Sequence, residues 1–203
     1  MSIKSKNTTC KYKRLARLAM RTFVAVDVSS VAIVKLQNEI LSTAGWNLRD
    51  VKPVEPHNFH FTLIFLGEIS DNHDHEKIKE KLAGIQFEPF TLIYEGIGAF
   101  PSPAAARIVW VGVDPQGGQK LTALAQDVIV KMSELGFKVD KPFSPHMTLF
   151  RAKGRPVRLS DISAKYKGRT FGSELIDMVH LKKSELTQSG PIYSNIYTIQ
   201  AQK

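Results

Sequence analysis

Two copies of His-x-Thr-Leu, His60-Phe61-Thr62-Leu63 and His146-Met147-Thr148-Leu149, stand 86 residues apart, each at the head of an apolar run. In extended chain, residues two apart project from one face, so each copy presents an imidazole and a hydroxyl side by side. Two imidazoles with an ordinary pKa of about 6.5 can supply one acid and one base near neutral pH. Such a pair suits a phosphodiester: attacking water loses a proton while the departing ribose oxygen gains one, and each transfer contributes about 10²–10⁴-fold. The hydroxyls of Thr62 and Thr148 can donate to the non-bridging oxygens and hold phosphorus between the rings. This chemistry asks for no metal and no cofactor. One histidine at the end of a buried strand is most simply a structural group; the repetition, in the same apolar context, favours a site.

The surrounding pattern must bring the two copies together. Residues 21–28, RTFVAVDV, are β-branched and aromatic and predict a strand; SSVAIVKLQNEILSTAG then has a Ser cap, helical apolar spacing and a closing Gly45. The run Phe59 to Leu66 predicts the first histidine strand, followed by a helix with Ile78, Leu82 and Ile85 on one face. FEPFTLIYEGIGAFPSPAAARIVWVGVD predicts a hairpin turning at FPSPAAA, and Leu121, Leu124, Val128 and Leu135 mark a long helix stopped by Gly136. KPFSPHMTLFRA is the second histidine strand, and GSELIDMVHLKKSEL with IYSNIYTIQ reads as two strands around TQSGP. The order strand, helix, His-strand, helix, hairpin, helix, His-strand, hairpin predicts an α+β fold of two similar lobes, with mainly antiparallel sheets around a shared groove.

The chain has 203 residues, enough for one domain with a full core. Its formal charge of +9 is unevenly spread: Lys4, Lys6, Lys11, Lys13, Arg14 and Arg17 give the first twenty residues +6, leaving +3 for the rest. That mild excess can guide a phosphate-bearing substrate but is not the charge of a nonspecific duplex binder. Residues 1–19 are expected to be a disordered basic leader, and residues 20–203 a single bilobal domain. A transit peptide is the less favoured reading of the leader; a disordered tail or an upstream start codon explains it, and Met20 directly before RTFVAVDV favours the second of these. The leader lacks the apolar stretch of a secretory signal and nothing approaches a membrane span, so a cytoplasmic protein without membrane association is expected. Cys10 is the one cysteine, which excludes an intramolecular disulfide and a thiolate zinc cluster.

Taken in order, RTFVAVDVSS, NFHFTLIFLGEI, GIGAFPSPAAARIVWVGV, PFSPHMTLFRAKG and LKKSELTQSGPIYSNI resemble the two-histidine phosphoesterases, and within them the RNA 2′,3′-cyclic phosphodiesterase branch also labelled 2′-5′ RNA ligase. The resemblance spans about residues 20–200. It implies a bilobal two-histidine phosphoesterase fold, with pseudo-twofold symmetry. It also implies hydrolysis of RNA 2′,3′-cyclic phosphate ends to 2′-phosphates, with His60 as proton donor and His146 as proton acceptor. RNA with such ends, tRNA halves and small cyclic nucleotides are the implied partners, bound by a monomer. Reversible 2′-5′ ligation and non-catalytic binding of RNA ends are the alternatives. Arg151 matches a family arginine that neutralises phosphate or stacks on a base; its strand parity points it away from the groove unless the strand bulges or ends. Phe150 has the parity of His146 and is expected to narrow the groove or offer a stacking surface.

Other residues weigh less. HDHE, residues 73–76, opens a helix and is read as charged capping rather than a metal site. His57 is read as a loop histidine and His180 as structural. DPQGGQKLT is read as the start of a helix, since its spacing is wrong for a phosphate loop. Arg107 is divided evenly between RNA contact and a surface ion pair, and Phe23, Phe100 and Phe143 are read as core.

Overall fold

The structure, a computed structural model, describes residues 20–29, 31–69, 72–188 and 190–202, with the side chains at 72 and 73 also outside that description. The leader, 1–19, lies outside the described residues, and so does the expectation of disorder there.

Nine strands and four α-helices are formed by the described residues: β1 Met20–Asp27, α1 Val31–Ala44, β2 Val51–Pro53, β3 His60–Ile69, α2 Asn72–Ala83, β4 Phe90–Phe100, β5 Ile108–Val113, α3 Pro115–Ser133, β6 Met147–Ala152, α4 Ser160–Tyr166, β7 Thr170–Ile176, β8 Met178–Leu186 and β9 Pro191–Gln200. The strands make two wholly antiparallel sheets, β3-β1-β8-β9 and β2-β6-β5-β4-β7. In the first, β1 pairs with β3; in the second, β5 pairs with β6. Each pair is linked through a helix, α1 or α3, so the unit strand, helix, His-strand occurs twice. The sheets meet where β3 lies beside β6, the two strands that carry the repeated motif.

The helices are placed by their apolar faces. Ile33, Leu36, Gln37 and Ile40 form the buried face of α1. Gln37 is the polar member of that stripe, and its Nε2 donates to the carbonyls of Val54 at 3.0 Å and Leu149 at 2.9 Å, tying α1 to the second sheet. Asp114 caps α3 by accepting from the Gly117 amide at 2.9 Å and the Ile93 amide at 2.6 Å, which explains why DPQGG starts a helix. Buried apolar residues from both sheets and all four helices make one continuous core.

The segment read as one strand from Gly172 to Leu186 is two. The chain leaves the second sheet after Ile176, and β8 joins the first sheet beside β1. Ile176 and Val179, the buried residues on either side of the junction, are three apart, so the two-residue alternation slips by one position where the chain changes sheet. The short β2 and α4 are also structural additions to the sequence reading.

Candidate active site

His60 opens β3 and His146 immediately precedes β6. Each ring is fixed in the same way. His60 Nδ1 lies 2.7 Å from the carbonyl of Asn58, and His146 Nδ1 lies 2.8 Å from that of Ser144, in each case two residues back. A carbonyl only accepts, so both Nδ1 atoms carry hydrogen and both Nε2 atoms are left for chemistry. Aromatic rings brace each imidazole: Phe23 and Tyr193 with centroids 5.2 Å from His60, Phe100 at 4.9 Å and Trp110 at 6.2 Å from His146.

The leucine of each motif is a β-bulge. In β3, Val24 pairs with Ile64 and Ala25 with Thr62, so Leu63 is the extra residue. In β6, Val109 pairs with Phe150 and Trp110 with Thr148, so Leu149 is extra. The bulge reverses the alternation beyond it. Leu63 and Ile64 are both buried, as are Leu149 and Phe150, and the next residues, Phe65 and Arg151, emerge exposed. Two expectations change in consequence. Phe150 does not line the groove: it is fully buried, with its ring edge-on to Trp46 at 6.2 Å. Arg151 returns to the groove side, where its charge acts on His60 and Tyr193 of the other sheet.

The sequence and the fold have relatives. The family description "LigT like Phosphoesterase" matches the chain twice, over residues 29–110 and 111–193, one histidine motif in each. The chain belongs to this family. An Archaeoglobus fulgidus relative named RNA 2′,3′-cyclic phosphodiesterase is 41% identical over 177 residues, covering 87% of this chain and 98% of that one. A crystal structure of a Thermus thermophilus protein shares 29% identity and a TM-score of 0.71 over 89% of this chain and 97% of its own. E. coli LigT complexed with 3′-AMP has the same fold, with a TM-score of 0.72 at 22% identity, covering 91% of this chain and 99% of that one.

In this LigT-like phosphoesterase the two histidines differ in surroundings. Burial holds His60 below the ordinary histidine value; Lys182 and Arg151 push the same way, against the Asn58 carbonyl and the Asp27 carboxylate. Asp27 pairs directly with His60 across β1 and β3, which puts both side chains on one face. Its carboxylate accepts from Lys182 Nζ at 2.6 and 2.7 Å, and Lys182, only 5% exposed, also donates to Asn195 Oδ1 at 2.6 Å. His180 completes this network: its Nε2 is 3.7 Å from Asp27, and its Nδ1 accepts from Asn195 at 3.2 Å and meets the Thr198 hydroxyl at 2.9 Å. Its structural reading is thereby given a location, the same sheet face that carries His60.

Asp27, Lys182, Tyr193 and Asn195 were not singled out in the sequence. Their only signal there is parity: a charged or polar residue at alternate positions of otherwise apolar strands, meaningful once β1, β8 and β9 are known to be neighbours. His57 sits exposed in a turn of 3₁₀ helix, as read. HDHE forms the first turn of α2, where Asp74 and Glu76 pair with Lys77 and Lys79, while His75 turns inward and is buried. Arg107 donates to the Gly154 carbonyl at 3.2 Å rather than to a carboxylate.

Proposed function

We propose that the chain hydrolyses RNA 2′,3′-cyclic phosphate ends to 2′-phosphates without a metal. The observation that carries this reading is the pair of imidazoles, each with Nδ1–H spent on a carbonyl and Nε2 left over, at the heads of the strands where the sheets meet. His146 Nε2 accepts a proton from the attacking water. His60, protonated at Nε2, delivers a proton to the departing 3′ oxygen, opening the ring and leaving phosphate on the 2′ oxygen. Thr62 and Thr148, partly buried beside their histidines, donate to the non-bridging oxygens, and Arg151 offsets phosphate charge. The curated relatives' shared name supports the substrate class. RNA ends such as tRNA halves, and small cyclic nucleotides, are the partners this groove is read as taking. One chain supplies both histidines, which supports action as a monomer. Cytoplasmic action is part of the same proposal, and no described helix is long and apolar enough to cross a membrane.

The test is turnover of an RNA oligonucleotide ending in a 2′,3′-cyclic phosphate, assayed in EDTA. His60→Ala and His146→Ala are each expected to lower kcat by at least about a hundredfold, the loss typical of a general acid or base. Unchanged turnover in either variant would overturn the two-histidine assignment. Adding RNA with a 5′-hydroxyl and looking for a 2′-5′ junction separates hydrolysis from ligation.

A further inference from the structure

A cavity of about 700 Å³ opens beside His146 on the second sheet, and the proposed reaction makes no use of it. Gly96, Trp110, Gly112, Gly118, Pro145 and Lys167 line it, so it begins at two residues that flank His146 and runs away from the junction with His60. The indole of Trp110 lies down on the sheet because residue 98 has no side chain: a Cβ there would stand 2.1, 2.2 and 2.7 Å from three atoms of the ring. One side of the ring is thus backed by strand β4, and Trp110, partly exposed, also lines the cavity. Its Nε1 is buried and has no partner, a cost that phenylalanine would not carry, so this position is occupied for the area of the ring rather than for a hydrogen bond.

The polar groups around the ring suit a nucleotide. Glu95 pairs with Gly112 across β4 and β5, which sets its side chain on the face shared with Trp110, where a carboxylate can accept from the exocyclic amine of a base. Lys167 stands exposed at the mouth, the place for a phosphate. The α3 amides are not an anion site, since Asp114 already caps them.

We propose that this cavity is a subsite for the nucleotide adjoining the terminal one, its base stacked on Trp110 and its phosphate met by Lys167. Aromatic stacking of this kind is how proteins hold single-stranded RNA without demanding one sequence. The subsite distinguishes an RNA end from a free cyclic mononucleotide, because a second base tethered to the reacting one binds at high effective concentration. This inference rests on the phosphodiesterase reading above.

The chain has two tryptophans, so Trp46→Phe leaves Trp110 as the only indole. Its emission is titrated with the dinucleotide CpA carrying a 2′-phosphate and with adenosine 2′-phosphate. The dinucleotide is expected to quench Trp110 strongly and the mononucleotide weakly, with Lys167→Glu weakening the dinucleotide about tenfold. In turnover, Ala164→Phe, which fills the cavity from its rim, is expected to lower by about tenfold the ratio of kcat/KM on CpA 2′,3′-cyclic phosphate to that on adenosine 2′,3′-cyclic phosphate. Equal losses on both substrates, or no quenching by the dinucleotide, would overturn the subsite. If the unaltered chain turned over neither substrate yet the dinucleotide still quenched Trp110, the phosphodiesterase reading would fail and the subsite would stand.

Discussion

Two identical side chains in two copies of one motif do not have identical chemistry, because the sheets around them are not identical. His60 faces a buried lysine, an aspartate and a second histidine, and burial favours its neutral ring. A donor must nevertheless carry a proton. With His60 as donor, kcat/KM is expected to fall with rising pH through a limb below about 6.5, the ordinary histidine value. Lys182→Met removes a cation that opposes protonation and should move that limb upward, whereas Asp27→Asn removes an anion that supports it and should move it downward; pH–rate profiles of the three proteins check both signs. A limb that rises with pH and shifts in the same variants would instead make His60 the base. The same burial has a stability consequence. His60 and His180 both have folded pKa values below the unfolded one, so below about pH 6.5 the unfolded chain takes up protons first. Stability is therefore fully present above that pH and declines as pH falls, and urea midpoints at pH 7.5 and pH 5.5 should show it.

At the scale of elements, the leucine bulge is what makes the motif work beyond its fourth residue. It sends Phe150 into the core beside Trp46 and Arg151 toward the groove, the reverse of simple alternation. The bulged residue's carbonyl is held by Gln37 Nε2 and by the Val54 amide, both at 2.9 Å, so the irregular backbone is hydrogen-bonded rather than strained. The two neighbours should consequently respond in opposite ways to truncation. Phe150→Ala is expected to cost about 3–5 kcal/mol of stability, the usual range for removing a buried phenylalanine. Arg151→Ala should leave the denaturation midpoint within about 0.5 kcal/mol of the parent while raising KM for the cyclic phosphate, as loss of an exposed phosphate contact does. If Phe150→Ala altered KM and spared stability, the assignment of faces would be reversed.

At the scale of the molecule, the repeated unit is not an independent lobe. The first half of the chain sends β2 to the second sheet, and the last quarter returns β8 and β9 to complete the first. The Asn58 side-chain amide reaches the Pro191 carbonyl at 3.2 Å, so the turn that orients His60 also leans on β9. One core spans both sheets. Thermal unfolding of the chain is accordingly expected to be a single transition, coincident by calorimetry and circular dichroism. A fragment ending before β4 should show no cooperative transition, since it carries β1 and β3 without β8, which pairs with the other edge of β1, or β9 beyond it; a sharply melting fragment would show the halves to be separable.

The amino-acid sequence by itself determined the repeated His-x-Thr pair, the helices around Ile33 to Ile40 and Leu121 to Met132, the two hairpins and the division into two similar halves. These depend on side-chain type and on spacings of two, three or four residues, which are local. The tertiary structure alone decided what lies across from each histidine: the Asp27–Lys182–His180 network, the brace of Tyr193, the inward turn of Phe150 and the outward turn of Arg151. Each of these depends on which strands become neighbours, or on a single residue of slip in their register. Residues 27, 182 and 195 meet only because β1, β8 and β9 are adjacent, and no local spacing encodes which distant strands become neighbours.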